Sequence, residues 1–117
     1  MARINQDFDL FAGEDRVISF KIEDQNGYEI DLDGATAIWV LARSSGNFIK
    51  INEKTTQNGG IFIEDNKFNV VLNNNDTRLL QGEYNYELRM INSEGKQSVV
   101  ATGTVEIYKS ITLAGEL

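Results

Sequence analysis

An all-β sandwich of about eight short strands is predicted for this chain of 117 residues, and three observations predict it. Apolar and polar residues alternate with a period of two in segment after segment, the periodicity of a half-buried strand. Turn signals recur roughly every 8–12 residues, the spacing of a sandwich or barrel. The chain has no proline, so Gly, Asn and Asp must supply those turns.

Ile4, Phe8 and Leu10 predict a first strand, ended by Ala12-Gly13-Glu14-Asp15. Ile18, Phe20 and Ile22 alternate with Ser19, Lys21 and Glu23 in a second. Asp24-Gln25-Asn26-Gly27 reads as a hairpin turn, because Asn-Gly tolerates positive φ. Tyr28 to Leu32 alternates again, and Asp33-Gly34 turns the chain. The segment from Ala35 to Arg43 is apolar on both faces: Ala37, Trp39 and Leu41 on one, Ile38, Val40 and Ala42 on the other. Such a strand is central, covered on both sides, or part of an interface.

Ser44-Ser45-Gly46 is a turn, and Phe48, Ile49 and Ile51 make a short strand. A loop at Gln57-Asn58-Gly59-Gly60 precedes Ile61 to Ile63. A tight turn at Asp65-Asn66-Lys67 leads into Phe68, Val70, Val71 and Leu72. One short helical turn is predicted near 75–80, capped by Asn75 or Asp76, with Leu79 or Leu80 reaching the core. Gly82 ends it. Tyr84, Tyr86, Leu88 and Met90 then line one side of a strand, with Glu83, Asn85, Glu87 and Arg89 on the other. After Asn92-Ser93-Glu94-Gly95, a last strand places Val99, Ala101, Gly103, Val105 and Ile107 on one face and Val100, Thr102, Thr104 and Glu106 on the opposite one. Residues 1–110 are expected to form one domain. Residues 111–117 form a tail with three large apolar side chains and no core position.

Composition narrows function. A net charge of −7 disfavours phosphate backbones, which want a basic face. No run approaches the ~20 apolar residues of a membrane span, and the first residues lack the apolar core of a secretory signal. With no histidine, imidazole bases, triads and His metal sites are unavailable. With no cysteine, disulfides are excluded.

No constellation of residues meets the needs of catalysis. Asp31-Leu32-Asp33-Gly34 lacks the third oxygen ligand and the closing Glu of a calcium loop, and reads as a strand-end turn. Asn73-Asn74-Asn75-Asp76 reads as a surface turn. Glu83 and Glu87 share an outer strand face, a solvated placement unlike the apolar setting of a glycosidase acid. Gln57-Asn58-Gly59-Gly60 leads into a strand, so it is no phosphate cradle. Ser44, Ser45 and Ser93 have no histidine to activate them. Trp39, Tyr84 and Tyr86 face inward and read as core. Tyr28 and Tyr108 read as exposed. What remains is apolar surface: Ile38 and Val40 opposite the Trp39 face, and Ile111, Leu113 and Leu117 in the tail. These five are the candidate protein-interface residues.

The ordered motifs have a family likeness. They are Phe8-x-Leu10 with Ala12-Gly13-Glu14-Asp15, Asp31 to Ala37 leading into the Trp39 strand, Asp76 to Leu88, and Gly95 followed by Thr102-Gly103-Thr104-Val105. Together they resemble the small Ig-like β-sandwich of tailed-phage structural proteins. The chain is similar to the N-terminal domain of baseplate upper proteins and to head and neck accessory proteins. The resemblance implies an antiparallel Ig-like sandwich and a non-enzymatic protein of the virion, assembled in the host cytoplasm. Its implied partners are other virion proteins and copies of itself, with no cofactor, nucleic acid, membrane or small-molecule substrate. The length favours an adaptor, joint or decoration subunit of the capsid, neck, tail or baseplate over a receptor-binding arm. An alternative expectation is a carbohydrate- or calcium-binding Ig-like module of a bacterial surface protein.

Overall fold

In the computed structural model, which describes residues 3–43 and 47–113, nine strands form two sheets. The larger contains β1 (Ile4–Asn5), β2 (Phe8–Phe11), β4 (Thr36–Arg43), β5 (Ile49–Thr55), β8 (Gly82–Ile91) and β9 (Gln97–Tyr108). Its order is β1-β9-β8-β4-β5, with β2 also on β9. The smaller contains β3 (Arg16–Phe20), β6 (Ile61–Glu64) and β7 (Lys67–Leu72), in the order β3-β7-β6. Pairing is antiparallel throughout, except that β1 and β2 run parallel to β9. The strand order is that of an immunoglobulin-type sandwich: β3, β7 and β6 stand as strands B, E and D, and β9, β8, β4 and β5 as G, F, C and C′. The all-β sandwich expected from the periodicity is the observed fold.

The core lies between the sheets. Trp39, Phe20, Phe68, Leu32 and Leu88 are fully buried. In an antibody domain a disulfide joins strands B and F and packs on a strand-C tryptophan. Here Phe20 on β3 and Tyr86 on β8 meet at 5.7 Å between ring centroids, and Tyr86 lies 5.8 Å from Trp39 on β4. An aromatic contact thus joins the two sheets where a cystine would stand. Two residues earlier, the Tyr84 hydroxyl donates to the Gln81 carbonyl (3.2 Å) and accepts from the Gln81 N–H (3.3 Å). This is the tyrosine corner of such folds.

Four expectations need correction. The first strand is two strands, broken at Gln6–Asp7. The Gln6 N–H still donates to Thr102 O (3.0 Å), but the Asp7 carboxylate, rather than a main-chain carbonyl, accepts from Thr104 N (2.8 Å). Gly103 permits that close crossing: a Cβ there would collide with the Gln6 backbone and the Tyr86 ring. Second, Tyr28 to Leu32 is not a strand. Its backbone makes one bridge, Glu23 with Glu29. The Asn66 side chain supplies further bonds, donating to Ile30 O (2.8 Å) and accepting from Leu32 N (2.9 Å). Asn66 reaches them from the tight turn, where Asp65 and Asn66 both have φ of 54°.

Third, the alternation of β9 slips. Its register with β8 shifts between Leu88 and Arg89, so that Leu88 faces Ala101 and Arg89 faces Val99. The extra residue, Val100, turns inward and is buried with Ala101, while Val99 is only half-buried. A bulge of this kind depends on the partner strand. Fourth, the helical turn is α1 (Asn74–Thr77), and its N-cap is Asn73 rather than Asn75 or Asp76. Asp76 stands three residues in and accepts from the Asn73 N–H (2.7 Å). Thr77 and half-buried Leu80 face the interior, and Leu79 is exposed. The Ser44-Ser45-Gly46 turn lies outside the described residues.

Replacing Gly103 by valine should destabilise the domain by about 3 kcal/mol, since neither the Gln6 backbone nor the packed Tyr86 ring has room to move. Urea titration of the variant measures this. Burial, together with the Asp7 charge, raises the Tyr86 pKa well above that of a free phenol, and the Tyr86 hydroxyl donates to the Gln6 carbonyl. The folded phenol holds its proton more tightly than the unfolded one, so this contribution is complete below about pH 10 and is lost as pH rises beyond it. Tyrosinate absorbance of the native protein should therefore lack the Tyr86 contribution until alkaline unfolding releases it, and Tyr86→Phe should remove that late step.

Candidate functional site

The open face of the larger sheet presents the clearest site. β4 lies inside the sheet between β8 and β5, and its inner residues Ala37, Trp39 and Leu41 are sealed in the core. Its other residues, Ile38 and Val40, point outward and are half-buried, and no further layer covers them among the described residues. Of the three placements allowed by a two-faced apolar strand, the structure therefore shows an interior strand with one open face. Ala42 continues the row, buried at the bulge where β4 and β5 change register between Leu41 and Ala42.

Beside this row the face sinks into a concavity of about 570 Å³. Val40 and Ala42 form its apolar part, and Asn5, Asp7, Asn85, Glu87, Thr102 and Thr104 its polar part. Phe48, from the segment leading into β5, walls one side with its ring 73% exposed. Strand pairing assembles this site from positions far apart in sequence: Val40 is opposite Glu87, Asn85 opposite Thr104, and Asn5 opposite Thr102.

The face is strongly polarised. Asp9 of β2, Glu106 of β9 and Glu83 of β8 stand in one cross-strand row. With Glu87 of β8, and Asp7 in the break between β1 and β2, they give five carboxylates on this face. Cations lie on the face as well: Arg89 Nη2 is 3.8 Å from Glu87 Oε2, Lys50, opposite Ala42, pairs with Glu53 at 2.8 Å, and Arg3 donates to Val99 O (3.3 Å). Among the described residues no cluster of three or more acidic side chains has metal-holding geometry. Asp31 Oδ1 accepts from the Asp33 N–H (3.0 Å), an Asx turn.

The candidate residues of the tail stand apart from this face. A 3₁₀ turn over Ile111–Leu113 follows β9. Ile111 is 91% exposed, whereas Leu113 packs its side chain over Gly13, whose missing Cβ leaves the space. Leu117 lies outside the described residues. Tyr28 and Tyr108 are exposed and Trp39, Tyr84 and Tyr86 are buried, as their strand positions imply. Phe48, Asp7, Asn85 and Thr102 escaped sequence reasoning. The apolar Phe48 read as a strand residue, and nothing local joins the other three.

Asp76 of the Asn73–Asp76 turn forms an ion pair with Lys54. Lys54, on the inner face of β5, donates to Asp76 Oδ2 at 2.7 Å, and Asn52 Nδ2 donates to Oδ1 at 3.1 Å. Both charged side chains are largely buried. Burial works to raise the Asp76 pKa, but the bonds from Lys54, Asn73 and Asn52 outweigh it and hold the carboxyl below its ordinary value of 3.8.

No protein family and no curated protein matches this chain. Among solved structures it is similar to one of murine CRIg, at 13% identity over 94% of this chain and 97% of that one, with a TM-score of 0.45.

Because Asp76 is more acidic folded than unfolded, its contribution to stability is complete above the unfolded pKa and disappears as pH falls through the folded one. Asp76→Asn should cost roughly 2–3 kcal/mol at pH 6, by leaving Lys54 unpaired and weakening the helix cap. That difference from the parent protein should close progressively below about pH 4. Chemical denaturation of both proteins from pH 2 to 7 measures it.

Proposed function

We propose that this chain is a non-enzymatic structural protein of a bacteriophage particle, an adaptor, joint or decoration subunit that works by protein–protein contact. The observation that carries contact as the mode of action is the uncovered apolar row of Ile38 and Val40 beside the exposed Phe48 ring. Apolar side chains gathered on one open sheet face mark an interaction surface more often than scattered ones do. The ordered motifs from Phe8 to Val105 support placement in a virion, with neighbouring particle proteins and further copies of the chain as partners.

The face is better suited to contact than the edge beside it. Among the described residues β5 is an outer strand with one side unpaired. Lys50 and the inward-pointing Lys54 lie on it, and a bulge interrupts its ladder. These are devices that discourage strand addition. Contact through side chains on the face meets no such obstacle.

Mass spectrometry of density-purified particles from a strain carrying the gene should find the chain in several copies per particle. Its absence from infectious particles overturns the reading. Ile38→Lys with Val40→Lys should reduce incorporation by about tenfold or more, since a lost interface contact of ~1.4 kcal/mol is worth that factor. The melting temperature should move by less than about 4 °C, because both side chains face outward.

A further inference from the structure

From the concavity on the open face we infer that it receives an arginine side chain, carried on an extended basic segment of a neighbouring protein. This rests on the reading of the chain as a contact protein and names the chemistry of the contact.

Charge selects the occupant. Asp7 and Glu87 line the concavity, and no Lys or Arg does. Asp7 Oδ1 accepts one main-chain N–H, from Thr104, and Asp7 has no cationic partner among the described residues. Glu87 Oε2 forms a long, exposed ion pair with Arg89 Nη2 (3.8 Å), beyond hydrogen-bond length, so its acceptor capacity remains open. The row of Asp9, Glu106 and Glu83 extends the negative surface along the same strands. The whole chain carries −7. An anionic segment would be repelled, and a neutral one would leave Asp7 without a cation.

Shape and chemistry favour arginine over lysine. A planar guanidinium can bond a carboxylate in bidentate fashion while stacking on an aromatic face, which a compact ammonium cannot do. Both partners are present: Asp7 and Glu87 on one side, the exposed Phe48 ring on the other. Val40 and Ala42 offer apolar surface to the methylene stem. The concavity crosses β1, β9, β8 and β4. At ~4.8 Å between strands that is about 15 Å, the length of four or five extended residues. A segment alternating arginine with an apolar residue fits this span.

The test uses the intact protein and a fluorescein-labelled peptide of alternating arginine and leucine, with lysine and glutamate versions as controls. Binding is followed by fluorescence anisotropy, and its location by amide chemical shifts. The arginine peptide should bind saturably, shift Val40, Asn85, Thr102 and Thr104, and weaken as salt rises. The lysine version should bind at least about threefold more weakly, and the glutamate version should not bind. Phe48→Ala with Glu87→Gln alters exposed side chains only and should weaken binding about tenfold without changing the melting temperature. No saturable binding, equal binding of the glutamate peptide, shifts elsewhere, or full binding by the double variant would each overturn the inference. So would saturation of the same amides by a malto-oligosaccharide with no response to the arginine peptide. Particle incorporation with no peptide binding rejects this inference alone, whereas groove binding with no incorporation rejects the particle assignment alone.

Discussion

The two sheets are held together at their centre by the contact among Phe20, Trp39 and Tyr86, and everything placed on the outer face depends on it. Each ring comes from a different strand, and Phe20 comes from the opposite sheet. Aromatic side chains of this size bury ~150–250 Å² each, and well-placed pairs add about 0.5–1.5 kcal/mol beyond burial. A buried disulfide in this position would contribute about 2–5 kcal/mol. The aromatic cluster can therefore match it without any cysteine. Tyr86 also reaches past the cluster to the Gln6 carbonyl, so the same side chain that joins the sheets anchors the corner between β1 and β2.

That corner links the core to the candidate site. Gly103 lets the Gln6 backbone approach β9, and the approach brings Asp7 over Thr104, where its carboxylate faces the concavity. A residue of the first strand pair is thus fixed opposite a residue of β4 through the Tyr86 side chain. The site's geometry is set by packing beneath it. Substitutions in the core would move Asp7 relative to Val40 even though neither is changed.

How much of this was legible in the sequence depended on the range of the interaction. Tyr84, Tyr86, Leu88 and Met90 could be oriented because β8 keeps a strict period of two and its inward side chains report burial directly. Trp39, Ile38 and Val40 were assigned to the correct faces for the same reason. Val100 was misplaced because a bulge is a property of two strands, and one strand's alternation does not contain it. The segment from Tyr28 to Leu32 keeps alternation of burial only from Ile30 to Leu32 and pairs through a single bridge, since the side chain of Asn66, remote in sequence, satisfies the backbone at Ile30 and Leu32. The concavity was illegible as a whole: Asp7, Val40, Phe48, Asn85 and Thr102 become neighbours only through register.

The parallel pairing of β1 and β2 with β9 has a mechanical consequence. The first strands of the domain and its last long strand lie side by side and point the same way. A pull that drags Ile4 backward along its strand and Tyr108 forward along β9 loads their hydrogen bonds lengthwise. The bonds must then fail together rather than peel one after another, as they would in a hairpin opened from its end. A subunit strung between two neighbours by its ends would resist tension through this seam, which forms without any covalent cross-link.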